Sequence, residues 1–109
     1  MKVNINGRLW IETSSGAIAG KGRVTLLERI KKYGSITEAA KSMKMSYRQA
    51  WEQIESMNAL CKKPLVTKSS GGSGGGGSKL TKEGENLIEL YSNLTRDFAK
   101  FLKKKNHSI

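Results

Sequence analysis

The reading of this chain turns on residues 34–51, Gly34-Ser35-Ile36-Thr37-Glu38-Ala39-Ala40-Lys41-Ser42-Met43-Lys44-Met45-Ser46-Tyr47-Arg48-Gln49-Ala50-Trp51. Twice in this stretch a serine is followed, three positions on, by a residue able to reach back to it: Ser35 with Glu38, and Ser46 with Gln49. Both pairs have the form of a capping box, in which the serine oxygen accepts from the third backbone amide and the longer side chain returns a bond. Gly34 supplies the stop for the helix before them. The helix opened by Ser35 is short and turns Ala39, Ala40 and Met43 to its buried side. The helix opened by Ser46 carries Tyr47, Ala50, Trp51, Ile54 and Met57 on one stripe, with Arg48, Gln49, Glu52, Gln53, Glu55 and Ser56 on the other side. That stripe, aromatic residues included, is expected in the core. Small alanines let the two helices pack closely, and two short helices joined by about four residues make a helix-turn-helix.

Upstream, Val24, Leu27 and Ile30, with Leu26 and Tyr33 alongside, form one face of a further helix beginning near Arg23. Before it, residues 3–12 alternate apolar and polar (Val3, Ile5, Leu9, Ile11), which is strand patterning. Ser14-Ser15-Gly16 turns the chain, and Ala17-Ile18-Ala19 returns as a second strand. These strands can extend a sheet of the same chain or pair with a partner subunit. Downstream, Pro64 ends any helix before it, and Leu65-Val66-Thr67-Lys68 and Lys79-Leu80-Thr81 read as strands. The Gly/Ser run between them suits a flexible linker by composition alone. Strands on both sides make it instead a hairpin with a mobile tip, the wing of a winged helix-turn-helix. Thr81 caps a last helix in which Leu87, Tyr91, Leu94, Phe98 and Phe101 recur at alternating steps of four and three, a seam about two heptads long that calls for a partner helix.

The chain has 109 residues and a formal net charge of +11. Located along the chain, the excess falls in two blocks. Residues 21–45 hold seven basic and two acidic side chains (+5), and residues 61–82 hold five basic and none acidic (+5). The intervening residues 46–60 hold one basic and two acidic (−1). Two basic blocks flanking a near-neutral polar helix suit phosphate clamps on either side of a reading element. No apolar run reaches the roughly 18 residues of a membrane span, and nothing at the start resembles a secretory signal. One cysteine, Cys61, and one histidine, His107, leave no disulfide framework, no metal site and no cofactor to expect. His107 stands where chains fray, and Cys61 has no positioned base, although Lys62 and Lys63 can lower its pKa. An enzyme is not expected, and the compartment is a reducing, bacterial cytoplasm.

The run Gly34–Lys41, continuing through Met45-Ser46-Tyr47-Arg48-Gln49-Ala50-Trp51 to Met57-Asn58, resembles the DNA-binding domain of the molybdate-responsive regulators, the ModE family. So do Gly20-Lys21-Gly22-Arg23 and the glycine-rich segment into Leu80-Thr81-Lys82-Glu83-Gly84. The match covers roughly residues 20–102, and its shorter GSITEAA element is shared with LysR-type regulators. The resemblance implies a natural wing and a domain that binds operator DNA as a homodimer through its terminal helix. Full-length members carry molybdate-binding domains beyond that helix; none is expected in this chain, and molybdate sensing is not carried over.

The expected architecture is therefore mainly α with small β. A winged helix-turn-helix spans 1–81 (strands 3–19, helix-turn-helix 35–58, wing 64–81), followed by a dimerisation helix over 82–105. Arg48 is the candidate for a bidentate contact to guanine and Gln49 for adenine, both lying off the apolar stripe. Glu52 accepts from a cytosine amino group or, the favoured role, orients Arg48 from one turn on. Ser35, Thr37, Lys41, Lys44 and Ser46 are candidates for backbone phosphates, with Lys68 and Lys79 reaching from the wing. Leu87, Tyr91, Leu94, Phe98 and Phe101 are the candidate dimer interface. The partner class is double-stranded DNA read by sequence. A sequence-indifferent nucleoid-type binder and a protein-interaction module are the alternatives, and double-stranded RNA fits less well because its major groove does not admit a helix.

Overall fold

The computed structural model describes residues 1–72 and 75–109. Strand β1 (Lys2–Val3) leads into irregular backbone, then the hairpin of β2 (Ile11–Thr13) and β3 (Gly16–Ala19). Three helices follow: α1 (Lys21–Tyr33), α2 (Ile36–Ser42) and α3 (Tyr47–Leu60). The wing is β4 (Val66–Gly72) paired antiparallel with β5 (Gly75–Leu80), and α4 (Lys82–Lys104) runs on to a short β6 (His107–Ser108). The chain is mainly helical, with strands confined to three two-stranded ribbons. The expected mobile tip centres on Ser73 and Gly74, which lie outside the described residues.

Leu26, Leu27, Ile30 and Met57 fill the centre of the core without contact with solvent. Ala39, Ala40 and Ala50 are as deeply buried, so α2 and α3 approach at alanine distance. Ser46 makes the full capping box: its Oγ accepts from Gln49 N at 3.1 Å, and Gln49 Oε1 accepts from Ser46 N at 3.1 Å. The box expected at Ser35 is half made. Ser35 Oγ accepts from Glu38 N at 3.2 Å, but the Glu38 carboxylate faces Lys41 at 3.7 Å instead of returning to Ser35. Between the helices Lys44 takes a left-handed conformation (φ 56°), which turns the chain sharply enough for Met45 N to bond Ala40 O at 2.9 Å.

The first strands depart from expectation. Residues 3–12 do not form one strand, and neither do they extend the wing sheet. Lys2–Val3 pairs with His107–Ser108, and residues 4–10 cross the second half of α4 as irregular backbone. Packing overrides alternation here. Tyr91 Oη donates to Leu9 O at 3.0 Å, Asn106 Oδ1 accepts from Ile5 N at 3.2 Å, and a Cβ on Gly7 would stand 2.7 Å from Phe98 Cζ. His107, expected in a frayed tail, is thus held in a strand pair, though exposed. Ile11–Thr13 and Gly16–Ala19 pair with each other and not with the wing.

Candidate nucleic-acid interface

The stripe on α3 splits in two. Ala50, Ile54 and Met57 are buried, whereas Tyr47 is 53 % and Trp51 45 % exposed. The expectation that the aromatic residues belong to the core is therefore corrected. A core wall built from Ala39, Ala40 and Ala50 brings the helices too close to seat two large rings between them. Arg48, Gln49 and Glu52 are likewise exposed, in the first two turns of α3. Arg48 Nε donates to Glu52 Oε1 at 3.1 Å, the one-turn relation, and this leaves the two terminal guanidinium nitrogens for another acceptor. Gln49 spends its carbonyl oxygen on the capping box, so only its amide nitrogen is free to donate outward.

Several basic side chains of the first block are occupied within the chain. Arg23 Nη1 donates to Ile18 O at 2.9 Å and Arg29 Nη1 to Ser42 O at 3.3 Å. Lys31 pairs with Glu85 at 3.1 Å, tying α1 to α4, and Lys41 pairs loosely with Glu38. Lys44, Lys68 and Lys79 form no ion pair within 4.0 Å among the described residues. Ser35 and Ser46 spend their hydroxyls on capping, and Thr37 is exposed on the first turn of α2. In the wing, Thr67 lies opposite Lys79 and Lys68 opposite Ser78. Residues opposite each other share a face, so Lys68 and Lys79 stand on opposite faces of the ribbon.

The wing is held to α3 by Asn58, to which sequence reading assigned no role. Its Oδ1 accepts from Leu65 N at 2.8 Å and its Nδ2 donates to Val66 O at 3.1 Å. The Met57-Asn58 pair of the family resemblance, and a polar residue a few positions before a strand, were the signals that could have pointed to it. The other anchor is backbone: Ser78 N donates to Gly34 O at 2.9 Å, and a Cβ on Gly77 would lie 2.6 Å from that oxygen. At the base, Thr81 Oγ1 donates to Pro64 O at 2.7 Å and accepts from Gly84 N at 3.0 Å, closing the wing and capping α4 together.

Along α4, Leu87 and Tyr91 are 8 % exposed and belong to the core of their own chain. Phe98 is half-buried beneath Gly7, while Leu94 and Phe101 are exposed, as is Leu90 between them and the domain. Burial pushes the Cys61 thiol up, against the lowering that Lys62 and Lys63 suggested, and a thiol held neutral is a poor nucleophile. Among the described residues no group of three His, Cys, Asp or Glu side chains is placed to hold a metal ion, and no helix is long and apolar enough to cross a membrane.

The profile of the bacterial regulatory helix-turn-helix proteins of the lysR family matches residues 22–85. The transcriptional regulator ModE of Haemophilus influenzae is 46% identical over 74 residues, which is 68% of this chain and 29% of that protein. The molybdenum transport protein ModE of Azotobacter vinelandii is 37% identical over 97 residues, 89% of this chain and 36% of that one. The DNA-binding transcriptional dual regulator ModE of Escherichia coli K12 is 40% identical over 88 residues, covering 81% and 34%. The chain spans about a third of the length of these curated relatives. Among solved structures, the DNA-binding domain of CbnR in complex with DNA superposes with a TM-score of 0.59 at 17% identity, covering 77% of this chain and 91% of that one. ArgP from Mycobacterium tuberculosis gives 0.55 at 17% identity, covering 76% and 29%. At that identity the likeness is one of fold.

Proposed function

We propose, for a chain that belongs to the bacterial regulatory helix-turn-helix proteins of the lysR family, that these residues bind double-stranded DNA by sequence as part of a transcription regulator. One observation carries the reading: a helix with a complete N-terminal capping box offers exposed Arg48, Gln49 and Glu52 in its first turns, with Lys44, Lys68 and Lys79 on other elements in no ion pair among the described residues. Helix α3 enters the major groove N-terminus first. Arg48 meets the two acceptors of guanine, oriented by Glu52, and Gln49 donates through its amide nitrogen. Lys44 and the wing lysines meet phosphates, with Ser35, Thr37 and Ser46 at the helix starts and Lys41 in the last turn of α2 adding weaker contacts. The regulator works in the bacterial cytoplasm, where the chromosome is, and is not an enzyme. The molybdenum in the relatives' names belongs to proteins about three times longer and is not brought to this chain.

A homodimer is part of the same reading. With Leu87 and Tyr91 spent on the core, the surface that meets a second copy is the stripe of Leu90, Leu94 and Phe101 on α4, and a two-fold pair sets half-sites about 10 base pairs apart. The test is titration of random and selected duplexes at two salt concentrations. A selected site is expected to bind at least about a thousandfold more tightly than random sequence. Arg48→Ala should lose about 1–3 kcal/mol of that preference at one base pair while random binding stays put. Equal affinity for every duplex would leave a nucleoid-type binder, and binding of neither would leave a protein-interaction module. For the dimer, Leu94→Asp combined with Phe101→Asp should sediment as a monomer; a wild type that is already monomeric at working concentration sinks that part.

A further inference from the structure

Two rings on α3 have no structural employment. Tyr47 and Trp51 are one helical turn apart and both about half exposed; they border the buried side of Ala50, Ile54 and Met57, and Trp51 has Arg48 as its neighbour three residues back. Other aromatic residues of this chain are engaged: Tyr91 Oη bonds Leu9 O, Trp10 Nε1 bonds Glu12, and Tyr33 lies under Lys32 Nζ at 5.3 Å from its centroid. Among the described residues the Tyr47 hydroxyl and the Trp51 indole N–H have no hydrogen-bond partner in the chain. Large apolar area left in water at the tip of a short helix is costly to keep unless an occupant covers it.

The neighbours identify the occupant. Whatever covers this end of α3 meets two apolar rings and a guanidinium with free terminal nitrogens, while Lys44, Lys68 and Lys79 on other elements form no ion pair among the described residues. Those lysines disfavour a plain apolar patch of another protein and favour a polyanion. In the major groove a base-pair edge presents acceptors at guanine and one apolar feature, the C5-methyl group of thymine. We propose that Tyr47 and Trp51 form a shelf that reads thymine methyl groups, so that this face of α3 selects thymine beside the guanine contacted by Arg48. The proposal rests on the DNA-binding reading above and adds to it the base that the apolar half of the helix selects.

The methyl group can be removed without touching base pairing, by replacing thymine with deoxyuridine. A duplex selected by the wild type from a random pool is remade with deoxyuridine at each thymine of a half-site in turn, and each version is titrated. At one or two positions the wild type should bind about fourfold more weakly per methyl group removed. Trp51→Ala or Tyr47→Ala should bind the thymine duplex more weakly and no longer distinguish it from the deoxyuridine version. Arg48→Ala, weaker overall, should keep the distinction. Both rings are exposed, so thermal unfolding of the two alanine variants should match the wild type. The inference is overturned if the wild type binds thymine and deoxyuridine duplexes alike at every position. It is equally overturned if Trp51→Ala and Tyr47→Ala weaken both duplexes by one factor. A wild type that prefers no duplex at all would instead remove the DNA-binding reading on which it stands.

Discussion

Helix α3 gives Ala50, Ile54 and Met57 to the core and leaves Tyr47 and Trp51 outside; α4 gives Leu87 and Tyr91 and leaves Leu90, Leu94 and Phe101 outside. Each helix carries more apolar residues than one domain can bury, yet the remainders differ in kind. On α3 the surplus is aromatic, confined to the first two turns and interleaved with Arg48 and Glu52. On α4 it is a stripe about three turns long, mostly aliphatic, interrupted by exposed Asp97 between Leu94 and Phe101 and crossed by no ion pair among the described residues. A short mixed surface suits base edges, which offer polar and apolar features within a few ångströms. A longer, mostly aliphatic stripe suits a second helix like itself. The same amphipathic arithmetic thus leaves one helix a surface of the kind proposed for a nucleic acid and the other a surface of the kind proposed for a copy.

The sharpest way to break this comparison is to cut the buried halves against the exposed ones. Ile54→Ala and Leu87→Ala should each cost about 2–4 kcal/mol of stability, read by urea denaturation. Trp51→Ala and Leu94→Ala should each change monomer stability by less than about 0.5 kcal/mol. Similar losses in all four variants would mean that the surplus residues serve the fold.

A smaller effect separates α3 from the wing. Asn58→Ala removes the bonds to Leu65 N and Val66 O and should cost about 1–3 kcal/mol, with faster amide exchange at Leu65 and Val66. If the wing contributes to binding, that variant should also lose affinity for random DNA at low temperature, where it is folded. Unchanged exchange would show that the strands hold without this clamp.

Lys68 and Lys79 sharpen the comparison further, because their opposite faces cannot both lie flat on one phosphate row. Lys68→Ala and Lys79→Ala, made singly, should differ: the lysine at phosphate lowers the salt slope by about 0.9 and the other leaves it unchanged. Equal slopes from both variants would place the ribbon edge-on, with a lysine on each wall of a groove.

The smallest effect comes from Lys44, whose positive φ is strained for a residue with a Cβ. Lys44→Gly should raise stability by about 0.5–1 kcal/mol while weakening DNA binding. A stability gain with unchanged binding would remove Lys44 from the phosphate contacts.

Much of the fold was legible because it is local. The box at Ser46, the stop at Gly34, the cap at Thr81 and the two strands around the glycine run depend on residues within a few positions of each other. Where a reading failed, a distant partner had intervened. Residues 4–10 gave up strand pairing to lie across α4 under Phe98 and Tyr91; the half-made box at Ser35 is the local exception, where Glu38 faces Lys41 three residues on. The candidate interface was legible only in part. Arg48 and Glu52 stand one turn apart by helical geometry alone, but the exposure of Tyr47 and Trp51 depends on how closely two alanine faces approach.

By itself the sequence determined the order of elements, the position of the turn between α2 and α3, the wing and the charge blocks on either side of α3. Helical period and capping are encoded within a turn or two, and charge is encoded residue by residue. Only the tertiary structure decided which half of each apolar stripe is core, which lysines are already paired, and that Asn58 and Gly34 hold the wing. Burial is a contest among all elements for one limited interior, and its outcome at Trp51 or Leu94 is settled by side chains far away in the chain.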